Sequence, residues 1–347
     1  MFGMPIYQYG DSSVFEFNND LEEPIVNSNE VLIETRATSV NPIDLMKREG
    51  YGRSIFEKQR KHLFPWILGS GMSGVVKKVG SKVIKFKEGD QVWGSTSSPK
   101  NGTYAEYALF NQSEMDLKPE NLSFREAASL PYVALTTWAA LIRWAALRPQ
   151  DLKNKKVFVQ AGSGGVGTFA IQLLRHWGAK VATTCSKENH DLVQELGAEI
   201  TIDYRKEEFS DLLQGYDLVF DCLGDLGGAD SVTKCLNILK ANATSHYISL
   251  NHAFIRTIDE KGLLLGLPAA LKLRYQVKKS AKPINFHWSL YRPSSSGLSE
   301  LGRMVRAEII KPIIDSVYPL ENIKEAHKKV ATSHARGKVV IEVKKDD

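Results

Sequence analysis

One stretch of the sequence, Val157–Gln172, constrains the fold more than any other. It is an apolar run that ends in a glycine cluster and then opens into an amphipathic helical pattern. Such a strand–turn–helix holds a dinucleotide pyrophosphate at the helix N-terminus, where free N–H groups and the helix dipole favour an anion. We expect the glycines to allow a tight turn and close helix–strand packing. The predicted cofactor-binding residues here are Ala161, Gly162, Ser163, Gly164, Gly165, Val166 and Gly167.

The end of the second strand of this region indicates which dinucleotide is bound. An NAD site usually has an acidic residue roughly 20 residues after the glycines, which holds the ribose 2′-hydroxyl. Here the predicted second strand, Lys180–Thr184, is followed closely by Ser186 and Lys187, a hydroxyl and a cation that suit a 2′-phosphate. Tyr204 follows the third strand and could close the same pocket. The sequence therefore predicts NADPH rather than NADH, although Lys187 could be merely solvated and Glu188 lies beside it.

Strand and helix patterns alternate through the middle of the chain. This alternation is typical of a doubly wound parallel sheet, the Rossmann α/β fold. A sixth strand is predicted after a helical, partly basic insertion at Asp259–Lys282. The predicted strands are Val157–Gln160, Val181–Thr184, Ile200–Asp203, Leu218–Asp221, His246–Leu250 and Ile284–Ser289.

The two ends of the chain have a different character. The first 130 residues are rich in strand signals, among them the alternating run Val31–Val40, which predicts a half-buried strand. The last residues return to this style, with strands predicted at Ile309–Ile314 and Lys338–Val343 around a helix from Glu321 to Ala331. We therefore expect a β-rich, barrel-like domain split by the nucleotide domain. The predicted boundaries are 1–133, 134–309 and 310–347.

Bulk properties are those of an ordinary globular enzyme. Apolar residues make up 43% and charged residues 24% of the chain, and the net charge of +5 is spread along it, which argues only weakly for a nucleic-acid partner. The three cysteines are too few for a disulfide framework. No apolar stretch is long enough to span a membrane, and the N-terminus shows no signal or transit pattern. We accordingly predict a cytoplasmic location.

Four motifs resemble a known family over almost the whole length of the chain. In the order of the sequence they are Val40–Asp44, Leu130–Trp138, Ala161–Gln172 and His334–Ile341. Together they are similar to the zinc-free, zeta-crystallin-type quinone oxidoreductases of the medium-chain dehydrogenase/reductase superfamily, most of all to the mitochondrial reticulon-interacting group. The resemblance implies a Rossmann domain inserted in a split GroES-like barrel, and a symmetric homodimer formed by edge-to-edge sheet pairing.

The resemblance also implies that no catalytic zinc is bound. Zinc alcohol dehydrogenases of the superfamily place a cysteine near Ile43 and a His-Glu pair where this chain has Ser70 and Gly71. A catalytic zinc needs about three nitrogen, sulfur or carboxylate ligands. Without that Lewis acid, conjugated acceptors such as quinones, enones and enoyl thioesters accept hydride more readily than simple ketones do.

Candidate catalytic residues follow from the resemblance. Asn41 would lie beside the nicotinamide ribose and the substrate, unless Asn41 and Pro42 only begin a turn. Thr136 and Thr137 resemble threonines that contact the nicotinamide, but they could equally be helix caps. Tyr51 resembles the tyrosine that donates a proton in zinc-free enoyl-thioester reductases, a role that many relatives with an aromatic residue there do not need.

Further cofactor contacts are implied at two other places. Arg336 and Lys338 match a segment that approaches the cofactor phosphates, although two cations beside a glycine also suit a solvated turn. Asp221 and Gly224 follow the fourth strand, where parallel sheets bind ligands, and resemble residues that line the cofactor cleft. Their alternative role is to form a turn.

The sequence thus predicts an NADPH-dependent, zinc-independent reductase of quinones or related α,β-unsaturated carbonyls. An enoyl-thioester reductase is the alternative within enzymes, and an NADPH-binding regulatory or sensor protein with little turnover is the alternative of another class. Two segments leave the acceptor open. The insertion at Tyr51–Phe64 is basic and aromatic, and the apolar run Gly262–Leu271 could cover a substrate pocket, form a dimer face or admit an isoprenoid quinone.

Overall fold

The computed structural model describes residues 1–60, 62–96, 100–228 and 230–344. The chain divides into two compact units. The first consists of Met1–Leu135 with Arg292–Asp347, and the second is Thr136–Tyr291. The second unit therefore interrupts the first in sequence, which is the split organisation that the strand and helix patterns predict.

The first part of the first unit is mostly antiparallel sheet. Its strands are β1 (Pro5–Ile6), β2 (Glu30–Val40), β3 (Trp66–Ile67), β4 (Gly71–Val79), β5 (Gln91–Ser95), β6 (Tyr107–Asn111) and β7 (Met115–Leu117). Its helices are α1 (Pro42–Arg48), α2 (Arg53–Gln59) and α3 (Phe124–Ser129). Helix α3 begins at the predicted capping box, in which Ser123 and Glu126 each accept a hydrogen bond from the other's backbone N–H.

Strand β2 is the centre of this sheet. It pairs with β4 along its length, with β6 over its first half and with the C-terminal strand Lys338–Glu342 over its second half. Helix α3 packs on β2 and β4. For these reasons nine of the eleven β2 residues are buried, and the prediction of a half-buried strand is wrong.

The second unit contains the predicted parallel sheet. Its strands are β8 (Lys156–Gln160), β9 (Lys180–Cys185), β10 (Ala198–Asp203), β11 (Leu218–Asp221), β12 (His246–Ser249) and β13 (Asn285–Trp288). Its helices are α4 (Pro131–Trp138, which begins in the first unit), α5 (Pro149–Leu152), α6 (Gly165–His176), α7 (His190–Leu196), α8 (Phe209–Leu212), α9 (Ser231–Asn237) and α10 (Phe254–Ser280). A π-helical segment, Ala139–Trp144, continues α4.

The strand order of this sheet is β10-β9-β8-β11-β12-β13, and all of its pairs are parallel. The chain order therefore reverses between β8 and β11. In doubly wound sheets, ligands bind beyond the carboxyl ends of the strands at such a switch point. The glycine turn after β8 lies there, so the Rossmann prediction is confirmed.

The chain then returns to the first unit through α11 (Ser295–Arg306), β14 (Ile314–Pro319), α12 (Ile323–Ala331) and β15 (Lys338–Glu342). Two details differ from the sequence prediction. Helix α11 belongs to the first unit, so the structural division falls before Arg292 rather than at 309. The predicted strand Ile309–Ile314 is wrong, because β14 begins at Ile314 and pairs with β15 from there.

The two insertions form helices. The segment Tyr51–Phe64 contains α2, and its residue Lys61 lies outside the described part of the chain. The apolar run Gly262–Leu271 lies within α10, whose path bends at Gly262 (φ 70°). Leu264 and Leu265 are largely exposed in the single chain, so they do not line a pocket within their own unit.

Candidate active site

The glycine turn after β8 has the geometry that a close backbone approach requires. Ala161 adopts a left-handed conformation (φ 59°), which reverses the chain. A Cβ on Gly162 would lie 2.0 Å from Thr183 Oγ1, and one on Gly167 would lie 2.3 Å from the Ala161 carbonyl oxygen. Both distances are shorter than any real Cβ contact. Gly162 therefore packs on the neighbouring strand, and Gly167 lets α6 approach the turn.

The same turn leaves space in front of α6. A Cβ on Gly164, the residue preceding α6, would meet only the Ala161 carbonyl oxygen, at 3.5 Å. The backbone N–H groups of the first helical turn, from Gly165 to Gly167, have no partner within the helix. Open space beside such N–H groups fits the pyrophosphate of a dinucleotide. Ser163 and Val166 complete the predicted set in this turn.

The tip of β9 presents a hydroxyl and a cation. Ser186 is nearly buried and accepts a hydrogen bond from the Asn189 amide at 3.0 Å, whereas Lys187 is exposed. The nearby Glu188 carboxylate is engaged by Arg205 Nη1 at 3.0 Å. Tyr204 lies half-exposed, with the Arg205 guanidinium 5.8 Å from its ring centre. The Glu188–Arg205 ion pair joins the ends of β9 and β10, so the Glu188 carboxylate is paired with a cation, and the pocket for a 2′-phosphate stays a prediction.

Asp221 and Gly224 form a turn rather than an open cofactor contact. The Asp221 carboxylate accepts hydrogen bonds from Leu223 N–H, Gly224 N–H and the Tyr247 hydroxyl at 2.6–2.9 Å. Asp221 has no exposed surface, and this burial raises the pKa of its carboxyl. Gly224 is left-handed (φ 51°), and a Cβ there would lie 1.9 Å from the Asn251 carbonyl oxygen. The turn-forming alternative therefore describes both residues.

Asn41 lies in the first unit, inside a buried polar network. Its side-chain Oδ1 accepts from Lys338 Nζ at 2.6 Å, and its Nδ2 donates to Asp44 Oδ2 at 3.0 Å and to the Ser39 carbonyl at 3.3 Å. Asn41 is fully buried and precedes α1. Both amide N–H groups are thus used within the protein, which gives Asn41 an organising place in the site.

The cation of this network is Lys338, which is buried and also donates to the Val40 carbonyl at 2.8 Å. Burial lowers the pKa of Lys338 to about 8, while the Asp44 carboxylate opposes this shift. Its partners are backbone and amide oxygens of the protein. The geometry makes Lys338 a support of Asn41, and its phosphate contact stays a prediction.

Asp44 connects Asn41 to a second group of side chains. Its Oδ1 accepts from Ser70 Oγ at 2.8 Å, and its Oδ2 accepts from the Asn41 backbone N–H at 2.9 Å. Burial, and then the Asp44 charge, raise the pKa of Tyr104 well above its usual range. The Tyr104 hydroxyl lies 3.3 Å from Nε2 of His327.

His327 has a defined tautomer, because Arg48 can only donate. Arg48 Nη1 lies 3.0 Å from His327 Nδ1, so Nδ1 accepts and Nε2 carries the hydrogen that faces Tyr104. His327 has no exposed surface. Burial, followed by the Arg48 charge, lowers the pKa of His327 to about 3.

The sequence analysis missed Lys47, Arg48, Tyr104 and His327. Lys47 and Arg48 follow Asp44 by three and four residues, which places them on the same face of a helix, so this spacing was an available signal. Tyr104 and His327 reach the network only through the fold, and nothing in their local sequence indicates it.

The remaining predicted residues are Tyr51, Thr136, Thr137 and Arg336. Tyr51 is partly buried, just before α2, and its N–H donates to the Met46 carbonyl. Thr136 and Thr137 lie inside α4, which begins at Pro131, so the alternative of a helix cap is wrong. Arg336 is exposed, and its backbone N–H donates to Asp315 at 2.8 Å.

Two kinds of site are absent from the residues that the structure describes. No group of three or more His, Cys, Asp or Glu side chains there is arranged to hold a metal ion. No helix in the same part of the chain is long and apolar enough to cross a membrane.

The medium-chain dehydrogenases/reductases share this architecture. In them a Rossmann unit with a nucleotide-binding turn is inserted in a barrel-like unit, which here contains the buried polar site. The family model of the alcohol dehydrogenase GroES-like domain matches residues 27–120, and that of the zinc-binding dehydrogenases matches residues 196–341. Among solved structures, the quinone oxidoreductase from Coxiella burnetii is similar, with a TM-score of 0.82, 30% identity and 99% of each chain covered.

Curated relatives define the group more closely. The chain is 36% identical to the mitochondrial NAD(P)H oxidoreductase RTN4IP1 of Mus musculus, over 97% of this chain and 88% of the relative. It is 35% identical to the Danio rerio protein of the same name, over 98% and 91%. The chain belongs to the RTN4IP1 group of NAD(P)H oxidoreductases within the medium-chain superfamily.

These comparisons correct one prediction. The relatives from zebrafish, mouse, human, cattle and Dictyostelium are all named mitochondrial. The predicted cytoplasmic location is therefore wrong. It rested on the lack of a signal or transit pattern and of a membrane-spanning apolar stretch, and neither absence identifies a compartment.

Proposed function

We propose that this protein is a zinc-independent reductase that transfers hydride from NADPH to a quinone or a related α,β-unsaturated carbonyl. The tip of β9 carries the proposal, because it offers Ser186 and Lys187 with no free carboxylate. Two similar proteins agree with it in their names: the quinone oxidoreductase from Coxiella burnetii, and an NADPH-dependent alkenal/one oxidoreductase of Arabidopsis thaliana that is 31% identical over 96% of this chain.

In this proposal the protein binds and orients the cofactor, and the nicotinamide when bound supplies the hydride. The N–H groups of Gly165–Gly167 hold the pyrophosphate. Ser186, Lys187 and Tyr204 hold the 2′-phosphate, and exposed Arg336 remains available to a phosphate. Thr136 and Thr137 contact the nicotinamide.

Asn41 and Lys338 have a positioning role in the proposed site, because Lys338 Nζ donates to Asn41 Oδ1 and their other hydrogen bonds go to Asp44, Ser39 and Val40. Zinc-dependent members of the family have metal ligands at the positions of Ser70 and Gly71. The residues of this chain at those positions agree with a zinc-independent reaction. Ser70 Oγ donates its hydrogen to Asp44, and Gly71 has no side chain.

We further propose a mitochondrial location, after the relatives, and a homodimer. Strand β13 is the last strand of its sheet and pairs with β12 on one side only. Pairing of two β13 strands across a twofold axis would cover this edge. Cell fractionation checks the location, and light scattering of the purified protein checks the dimer.

The function is tested by following nicotinamide oxidation with a benzoquinone, a naphthoquinone, an enal and an enoyl-CoA. NADPH and NADH are compared, each with and without a metal chelator. We expect chelator-insensitive turnover that prefers NADPH and uses a quinone or the enal. Turnover of enoyl-CoA alone would favour an enoyl-thioester reductase with Tyr51 as proton donor. Tight NADPH binding without turnover of any acceptor would favour a sensor.

A further inference from the structure

Lys47 lines a cleft in the first unit, one helical turn after Asp44. Its Nζ lies 3.4 Å from Ser70 Oγ. The cleft is narrow and opens to solvent. Its walls are Lys47, Trp66, Ile67, Leu68, Gly69, Ser70, Thr96 and Lys100.

The direction of the hydrogen bonds fixes how Lys47 is held. Ser70 gives its hydroxyl hydrogen to Asp44 Oδ1 at 2.8 Å, so it meets Lys47 as an acceptor. Asp44 is fully buried behind Ser70 and also accepts two hydrogen bonds from Asn41. An ammonium has three N–H donors, of which Ser70 accepts one. Lys47 is therefore a cation anchored at the wall of a cleft.

The surroundings strengthen the attraction of this cation for an anion. Trp66 and Leu68 are almost completely buried in the same wall, and a wall of this kind screens charge far less than water does. Lys100 also lines the cleft, but its ammonium pairs with Glu114 at 3.3 Å and lies 3.9 Å from Glu30. Of the two lysines of the cleft, Lys47 is the one held by a neutral hydroxyl.

We propose that Lys47 is a catalytic residue of the reductase, which binds the carbonyl oxygen of the acceptor and protonates it as negative charge develops there. This inference rests on the proposed function. Hydride adds to the conjugated acceptor, and the electron pair of the π bond moves to the carbonyl oxygen. A hydrogen bond from Lys47 Nζ stabilises that oxyanion and then transfers one proton to it. The neutral amine regains a proton from water in the cleft.

The chemistry of Lys47 agrees with this role. Burial lowers the pKa of Lys47, and the Asp44 charge opposes the shift. The charged groups that face it are Asp44 and, across the cleft, Lys100. A lysine with a lowered pKa releases its proton to an oxyanion more readily than an exposed lysine does.

The first test is kinetic and uses Lys47→Met, which keeps an unbranched side chain one atom shorter and removes its charge. We expect kcat with the preferred acceptor to fall about 100-fold with little change in KM, since the lost interaction forms mainly in the transition state. Lys58→Met, at an exposed position on α2, should keep wild-type kinetics. Lys100→Met should cost much less than Lys47→Met, and an equal loss would overturn the assignment to Lys47.

The second test does not depend on turnover. The probe is 4-nitrophenol, whose ionised form is an aromatic oxyanion with its own visible absorption band. We expect wild-type protein to increase the ionised fraction of the bound probe and Lys47→Met to abolish the increase, while Lys58→Met behaves as wild type. The proposal would be overturned if wild-type protein left the ionised fraction of the probe unchanged, or if Lys47→Met increased that fraction as much as the wild type does.

The two tests separate the two ideas. If the wild-type protein reduces quinones and Lys47→Met does so equally well, the reductase stands and the role of Lys47 is wrong. If the wild-type protein reduces none of the acceptors, the proposed function is wrong, and the phenolate experiment still decides whether Lys47 forms an oxyanion site.

Discussion

Burial of His327 in its neutral form should make the folded protein less stable in mild acid. His327 is fully buried between Arg48 and Tyr104, and its Nδ1 must stay unprotonated to accept from Arg48 at 3.0 Å. A proton on Nδ1 would break this bond and place two cations in contact without water. Burial, followed by the Arg48 charge, therefore lowers the pKa of His327 from 6.5 to about 3.

The size of the effect follows from linkage between protonation and folding. Because the pKa of His327 is lower in the folded protein, the unfolded chain binds a proton at His327 at pH values where the folded chain does not. The stability that this residue contributes is therefore lost as the pH falls below 6.5 towards 3. One pKa unit corresponds to about 1.4 kcal/mol. Between about pH 7 and about pH 5, His327 should therefore reduce the free energy of unfolding by about 2 kcal/mol.

His327→Gln isolates this contribution. A glutamine can accept from Arg48 and donate to Tyr104, but it does not titrate. Urea unfolding of both proteins at the two pH values should show that the wild type loses about 2 kcal/mol more than His327→Gln. The other histidines whose pKa values are lowered, such as His252 and His287, are present in both proteins, so their contributions cancel. His334→Gln, at an exposed position, should behave as wild type.

Equal acid losses in the wild type and in His327→Gln would refute this reasoning. A direct check is the NMR titration of the His327 ring in the folded protein. A midpoint near the ordinary value of 6.5 would show that the ring is accessible to solvent, in contradiction to its burial.

Three further predictions concern the cofactor turn and the buried lysine. Lys187→Ala should weaken NADPH binding about 10-fold or more with little effect on NADH binding, because it removes a charged hydrogen bond to the 2′-phosphate. Titration calorimetry checks this, with Lys180→Ala at the other end of β9 as the control. Equal losses of affinity for both cofactors would contradict the prediction. Gly167→Ala should reduce the affinity for both cofactors and lower the midpoint of thermal unfolding, because its Cβ would lie 2.3 Å from a carbonyl oxygen. Unchanged affinity and an unchanged midpoint would show that the backbone of the turn can shift to accommodate the Cβ. Lys338 has a lowered pKa of about 8, so above that pH the unfolded chain holds more protons than the folded chain. The wild type should therefore gain stability relative to Lys338→Met between about pH 8 and about pH 10. If the free energies of unfolding of the two proteins change in parallel over this range, a buried ammonium at Lys338 is excluded.

Much of the nucleotide-binding unit could be predicted from the sequence, because its signals are local. The run from β8 into α6 specifies a turn through glycines whose missing side chains are required on the spot, as at Gly162 and Gly167. Parallel strands joined by helices also order themselves by general rules of handedness and connection. The capping box of Ser123 and Glu126 is a signal of the same kind, contained within four residues.

The polar site of the first unit is different, because its contacts join distant parts of the chain. Lys338 and Asn41 are separated by 297 residues, and Arg48 and His327 by 279. The family resemblance of the sequence implied that Lys338 contacts a phosphate. Only the folded structure, in which β15 pairs with β2, shows that Lys338 Nζ donates to the amide oxygen of Asn41. Asp221 likewise turns inward because Tyr247 of the next strand meets it there.

Period, turn chemistry and helix capping act over a few residues, so the sequence by itself determined the kinds of elements, their order and the place of the dinucleotide turn. Burial, hydrogen-bond partners and the resulting pKa shifts depend on which distant side chains share a site, because the energy of a charge depends on everything that replaces its water. Only the tertiary structure therefore decided that Lys338 supports Asn41, that His327 stays neutral, and that Lys47 stands at an open cleft.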